Sequence, residues 1–509
     1  MAIAADLPPD SPATLRSAQS VSGVRAGALG FPTLLAQSVA LISPTMTAVL
    51  IVPLAFSFAG NGTWLAYLFA TIMLSFVVMN LNVFAGRSAL PGSMYAYIGR
   101  GLGPRGGVLS GWTLLWSYGF IAIAGLAGFS IFVNQFLDAV GATFHVPAIA
   151  AFCISAALCW LVAYKDIRIS SLLMLVLEGL STALIIALCL TVLAKHGTMV
   201  DTQQLHLHGV GVSGITLAVV ICIFSLVGFE SATALGGEAK NPLHNVPRAV
   251  RWSLVIAGLF FVFVSYVEVI GASSHNLQLA DLDAPLSTLS DAYQVGFLKA
   301  PICLGAILSF YSLTLSCVNA GSRILLPMAQ HGMLSRHVGS IHSQNRTPHI
   351  AVSVYSLLVL GIICVMQIFT DPLTTFGDAG TLAAFGFLLA YFMVSVAAPV
   401  YLRKRGQLTG KNITISALAL ACLLVPTIGS FYPLPPVPVR YFPYYFLVYM
   451  LAGLAWLTVV SRRRPTILGE IEADLEASVD TWTTPPGTAG EARRESPESD
   501  SAGRQAWAT

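Results

Sequence analysis

The scarcity of charge over so long a chain is the feature that most limits its fold. Of 509 residues, 10% are Asp, Glu, Lys or Arg and 56% are hydrophobic, where a soluble domain carries about 25% charged residues. A water-soluble body of this length has no means of covering its surface with so few ionic groups, so the surplus apolar surface calls for lipid. Windows of about 20 mostly apolar residues, long enough to cross a bilayer, recur along the chain. They fall at 30–56, 63–85, 106–136, 146–163, 169–194, 211–236, 250–271, 300–324, 349–370, 376–402, 412–432 and 443–461. The pattern predicts an all-α polytopic membrane protein with twelve transmembrane helices.

The basic residues test that count independently of hydropathy. With both termini in the cytoplasm and twelve alternating spans, the inner loops receive 20 Lys and Arg and the outer loops only Lys195, Lys299 and Arg440, the distal tail set aside. Such a bias is the positive-inside pattern, and it scrambles if a span is added or removed. A cytoplasmic membrane location is therefore expected. Residues 1–29 read as a disordered cytoplasmic N-terminus without the charged and apolar regions of a cleavable signal peptide. Residues 462–509 read as a disordered cytoplasmic tail, with a short helix possible around 468–478. The eight cysteines all fall in or beside spans and show neither CxxC nor metal spacing, so no metal site and no disulfide framework is expected.

Two spans carry residues that break a helix near mid-membrane. In the first, Ala40-Leu-Ile-Ser-Pro-Thr-Met-Thr47 places Pro44 between two hydroxyls; proline removes an amide donor and clashes with the preceding turn. In the sixth, Phe224-Ser-Leu-Val-Gly-Phe-Glu-Ser231 places Gly228 and Glu230 in an apolar run. Taken singly, the first is a proline kink and the second a site of close helix packing. Their places five spans apart match the paired discontinuous helices of inverted-repeat transporters, where substrate binds at the breaks. Exposed amides beside Pro44 can then face an anionic group, and uncapped carbonyls near Ser225–Gly228 a cationic one. Ser43, Thr45, Thr47 and Ser225 add hydroxyls, and Phe229 lies at the same break.

Glu230 and Glu178 are carboxylates deep in apolar sequence, which makes them candidates for proton coupling, against the alternative of satisfied packing groups. Glu268 is expected to reach the interface at the outer end of span seven. Ser312 and Ser316 in span eight offer a weaker sodium site. Lys240, Arg248, Arg323 and Arg346 are expected to anchor the cytoplasmic face by reaching the interface, with a gating role in pairs with Glu238 as the alternative.

Four stretches resemble the amino acid–polyamine–organocation permease superfamily. They are Ser43-Pro44-Thr45; Pro91-Gly-Ser-Met-Tyr-Ala-Tyr97 with Gly101-Leu-Gly-Pro104 and Gly111-Trp112; Gly228-Phe-Glu-Ser-Ala with Gly237-Glu-Ala-Lys-Asn-Pro242 and Val246-Pro-Arg-Ala249; and Asn319-Ala-Gly-Ser-Arg-Ile324 through His331 to Arg346-Thr-Pro348. The resemblance implies a 5+5 inverted-repeat fold of the leucine-transporter type with helices 1 and 6 discontinuous. Residues 30–194 are then the first repeat, 211–402 the second, and 412–461 two peripheral spans. It implies alternating-access transport of amino acids, their decarboxylated amines or polyamines, by symport, exchange or uniport. For an amino acid, the anionic group beside Pro44 is its carboxylate and the cationic one near Ser225–Gly228 its ammonium. Phe224 falls where the family places an aromatic that closes over substrate. Many members carry a lysine in span five; this chain has none between Arg168 and Lys195, and Glu178 is the candidate to replace it.

The expected activity is secondary transport of an amino acid, driven by a proton gradient rather than sodium, with no cofactor and no nucleic acid partner. A polyamine or organic amine transporter and an amino acid exchanger are the alternatives. A membrane enzyme needs clustered catalytic groups, yet the ten histidines are scattered and no HExxH or GxSxG occurs. A channel needs a repeated filter loop or a charged pore ring, and neither is present.

Overall fold

The computed structural model describes residues 27–88, 94–165, 167–197, 200–282, 284–432 and 437–483. Among these the chain is helical, and the one extended pairing is an isolated parallel bridge between Leu29 and Ala239. The helices that matter here are α1 (Phe31–Ile42), α2 (Val52–Ala59), α3 (Thr63–Ala85), α4 (Met94–Leu102), α5 (Pro104–Ala139), α6 (Ala148–Lys165), α7 (Ile167–His196) and α8 (Val212–Leu226). They continue with α9 (Pro242–Ser274), α10 (Pro285–Ala292), α11 (Lys299–Gln330), α12 (His349–Phe369), α13 (Pro372–Lys404), α14 (Gly410–Gly429), α15 (Phe442–Arg463) and α16 (Ile467–Thr483).

Eleven runs are long and apolar enough to cross a membrane, and the first, Phe31–Ala85, holds 55 residues. It joins the expected spans 30–56 and 63–85, which a 3₁₀ turn at Gly60–Gly62 separates. The other expected spans each fall on one of the remaining runs.

The core forms where α5, α11 and α13 cross, with α1 and α7 against α11 and α9 against α3. In lipid there is no hydrophobic force to draw helices together, so close approach and dispersion hold them. At Gly128 of α5 a Cβ would stand 2.2 Å from the Phe310 ring of α11; only the missing side chain lets the helices meet there. The faces of α6, α12, α14 and α15 are mostly exposed, as lipid-facing helices require.

Two expectations change. The segment 462–509, expected as a disordered tail with a short helix possible around 468–478, carries that helix as the longer and packed α16, with Ile467, Ile471 and Leu475 buried at 1%, 0% and 4% exposure. Their spacing of four residues gives one apolar stripe, which packs on α4 and α5. Residues 1–26, most of the expected N-terminal tail, and 484–509 lie outside the described residues. Glu268 does not reach the interface: it is 1% exposed. Hydropathy places a residue in depth, but not in rotation about its helix.

Candidate substrate site

Pro44 cannot donate to the preceding turn, and α1 ends at Ile42. Ser43 takes up the left-handed region (φ 51°, ψ 77°), rare for a residue with a side chain. The chain restarts as the short turn Pro44–Met46, opens into a π-helical segment at Thr47–Ile51 and continues as α2.

The second break is of the other kind. Val227 is extended and Gly228 left-handed (φ 103°), so the last-turn carbonyls of α8 lose the amides that a continuing helix supplies. A 3₁₀ helix then runs from Phe229 to Glu238. The two breaks touch: a Cβ on Gly228 would lie 2.1 Å from Leu41 Cδ2.

The inner pieces of the two interrupted helices are stitched together. Ser38 Oγ donates to the Phe229 carbonyl (2.8 Å) and accepts from the Ala232 amide (3.0 Å), and Ser231 Oγ donates to the Gln37 carbonyl (3.2 Å). At their far ends Leu29 N donates to Glu238 O (3.0 Å) and Lys240 N to Leu29 O (2.7 Å).

Glu230 is fully buried beneath the second break. It accepts from Tyr118 Oη of α5 (2.8 Å), Tyr391 Oη of α13 (2.6 Å) and the Gly228 amide (3.1 Å). Three donors match a carboxylate well, and they pin the break to α5 and α13. Glu178 accepts from Ser309 Oγ of α11 at 2.8 and 3.0 Å. Ser43 Oγ lies 3.0 Å from Ser309 Oγ and accepts from the Met46 amide at 3.4 Å. Since the Ser309 proton goes to Glu178, Ser43 is the donor in that pair.

Of the amides just after Pro44, that of Met46 is taken by Ser43, and the chain's own Glu178 stands beside this break through Ser309, which bonds both Ser43 and Glu178. Thr45 Oγ1 bonds Ser181 Oγ at 2.5 Å. Thr47 Oγ1 is buried without a hydrogen-bond partner. Ser225 Oγ lies 3.4 Å from Tyr67 Oη. Phe224 is half-buried with its ring over Gly380, where a Cβ would meet it at 2.4 Å. Phe229 stacks on Tyr391 with centroids 5.1 Å apart.

Of the sodium candidates, Ser316 is engaged with Gln37 through three bonds of 2.8–3.0 Å, and Ser312 Oγ is buried without a partner. Glu238 pairs with Arg323 Nε at 2.6 Å, both nearly sealed from solvent. Arg323 thus sits inside rather than reaching the interface. Lys240 and Arg248 are exposed, and Arg248 lies over the Phe31 ring and beside His244 instead of meeting Glu238. Tyr118, Tyr391 and Ser309 as direct partners are what sequence reasoning missed, where the only signal was a polar tip inside an apolar run; the Arg323–Glu238 pair is the alternative the sequence offered.

A bundle for lipid, with two interrupted helices meeting over buried carboxylates, has the build of a secondary transporter rather than an enzyme. Comparison with known proteins agrees: residues 34–462 match the amino acid permease family, and the chain belongs to that family. It is 23% identical over 419 residues to the branched-chain amino acid permease BcaP of Bacillus subtilis, covering 79% of this chain and 83% of the relative. It is 28% identical over 381 residues to BcaP of Lactococcus lactis (71% and 78%). It is 24% identical over 360 residues to the low-affinity putrescine importer PlaP of Escherichia coli (68% and 75%). This chain is accordingly a multi-pass membrane transporter, not an enzyme.

Proposed function

We propose that this permease moves an amino acid with an apolar side chain across the cytoplasmic membrane by proton-coupled alternating access. Twelve crossings in a 5+5 inverted repeat, both termini cytoplasmic, are part of the reading. The contact of the two helix breaks at Gly228 and Leu41 carries it, because unpaired backbone inside a bilayer is tolerated only where it lines a site or is buried in protein. The two BcaP relatives are named for branched-chain amino acids, and the half-buried Phe224 offers an apolar wall.

In this reading the carbonyls ending α8, around Ser225 and Val227, accept the substrate ammonium. The substrate carboxylate sits at the first break, where it meets the charge of Glu178, joined to Ser43 through Ser309. A proton on Glu178 removes that repulsion, so protonation and substrate binding favour one another. Glu230, ringed by tyrosines, positions the second break and is the other candidate for the proton. No cofactor is invoked.

A second reading has a specific observation behind it. Because the buried Glu178 stands beside the first break, joined to Ser43 through Ser309, a cationic amine without a carboxylate finds an anionic group there, and one relative is named for putrescine.

The deciding experiment is uptake by purified protein in proteoliposomes, with labelled leucine, lysine and putrescine, with and without an imposed proton gradient. Leucine accumulating on the gradient, and losing that dependence in Glu178→Gln or Glu230→Gln, is the expected result. Putrescine transported in place of amino acids moves the substrate to the second reading. Exchange indifferent to the gradient removes the coupling.

A further inference from the structure

Four carboxylates lie buried among the described helices, and they are not alike. Glu238 has its ion pair with Arg323, Glu230 has three donors and Glu178 has the Ser309 hydroxyl. Glu268 of α9 is equally sealed, yet neither of its oxygens has a hydrogen-bond partner. A carboxylate anion in that state carries the full penalty of desolvation with nothing to offset it, so its charge must be cancelled while the bundle holds this conformation.

No cation among the described residues does so. The titratable groups close enough to interact with Glu268 are Tyr67 of α3 and Cys189 of α7, with Cys222 of α8 beside Tyr67; none of the three can become positive. Of the other carboxylates beside α9, Glu178, eleven residues from Cys189 along α7, and Glu230, in the 3₁₀ helix that meets α9 at Ser253, lie well along the bundle from Glu268. The residues from Phe31 to Ala59 contain no ionisable side chain. The nearest cations belong to the end of the bundle beyond Glu268. Lys195 Nζ donates to the Tyr293 carbonyl, Lys299 pairs with Asp291, and the His275 ring packs on Tyr293. Those contacts fasten α10 as a cover. Gly271, one turn beyond Glu268, would place a Cβ 3.0 Å from Leu289 of α10 and 3.2 Å from Val192 of α7.

We propose that Glu268 is a proton-binding site of the transport cycle, loaded in the conformation described here. Its O–H bond breaks, and the proton passes to water, when the cover at α10 opens and hydrates the carboxyl; closure reverses the step. The π-helical segment Thr47–Ile51 packs against α9, so α9 is in contact with the interrupted first helix. Substrate-driven movement of that helix then reaches Glu268 without contact between substrate and proton. The inference rests on the proton-coupled reading above and assigns a further site to it.

The test uses the full-length protein in proteoliposomes, wild type against Glu268→Gln, with gradient-driven uptake, gradient-free counterflow of the same substrate, and infrared difference spectra between pH 6 and pH 9. The expected result is a gradient-driven accumulation reduced at least about tenfold, with counterflow within about twofold of wild type. A protonated-carboxyl band present in the wild type should be missing from the variant. Gradient-driven accumulation retained by Glu268→Gln overturns the proposal and leaves proton coupling intact. Wild-type uptake indifferent to the gradient removes both. If the variant transports nothing, the spectra decide: loss of the band supports the assignment, and an unchanged spectrum overturns it.

Discussion

Gly228, at φ 103°, occupies backbone space that strains any L side chain, and a Cβ there would also stand 3.2 Å from the Leu41 carbonyl carbon. Backbone does not yield as the end of a side chain does. Gly228→Ala is therefore expected to force the two interrupted helices apart, lowering stability by about 1–3 kcal/mol and abolishing transport. A melting curve in detergent together with counterflow checks it, and a variant with wild-type values for both would show that the crossing is not tight. Both breaks were legible in the sequence because proline and glycine act locally: Pro44 lacks an amide wherever it sits. The groups that hold Glu230 were not, since Tyr118 and Tyr391 lie 112 and 161 residues away and no local pattern pairs them. Glu268 shows the same limit from the other side, because nothing in its own span reveals which way its side chain turns.

Among the elements, α16 carries the greatest departure from what composition suggested. The acidic tail looked solvated, yet its Ile467, Ile471 and Leu475 stripe closes over the end of the bundle. Leu475 fills the space left by Gly99, where a Cβ would lie 2.7 Å from its Cδ1. Arg100 donates to the Leu475 carbonyl through Nε and Nη2 at 3.0 and 2.9 Å. His331, at the end of α11, lies 2.8 Å from Asp474 and 2.6 Å from Tyr95 Oη. Helix α16 thus joins α4 to the helix that carries Arg323 and Ser309. Ile471→Asp puts a charge into the middle of the stripe and is expected to release α16. Limited proteolysis should then cut beyond Arg464 at least about tenfold faster than in wild type, since a released element opens at little cost. Equal cleavage rates would mean the polar contacts alone hold it.

For the whole molecule, the open quantity is the number of crossings, and the ends of the chain bear on it. Eleven runs satisfy length and hydropathy, and an odd number of crossings would put the termini on opposite sides. The contacts argue for an even one. Leu29 is bonded to Glu238 and Lys240, Glu238 is paired with Arg323 of α11, and two turns further along α11 His331 meets Asp474 of α16. Both ends of the described chain therefore lie at one end of the bundle. In the proposed count of twelve the run Phe31–Ala85 is the one that crosses twice: at about 1.5 Å per residue its 55 residues far exceed a hydrocarbon core of about 30 Å, and it turns at Gly60–Gly62. Charge points the same way, because the basic loops collect on a single side only if this run crosses twice. Reporter fusions after Arg25, within the Gly60–Gly62 turn and after Arg464 are expected to report cytoplasm, outside and cytoplasm in that order. A turn reporter on the cytoplasmic side would make Phe31–Ala85 a re-entrant hairpin, and the transport path would then have to be redrawn around ten crossings. Opposite signals at the two ends would leave an odd count and break the pairing of helices 1 and 6 on which the inverted repeat depends.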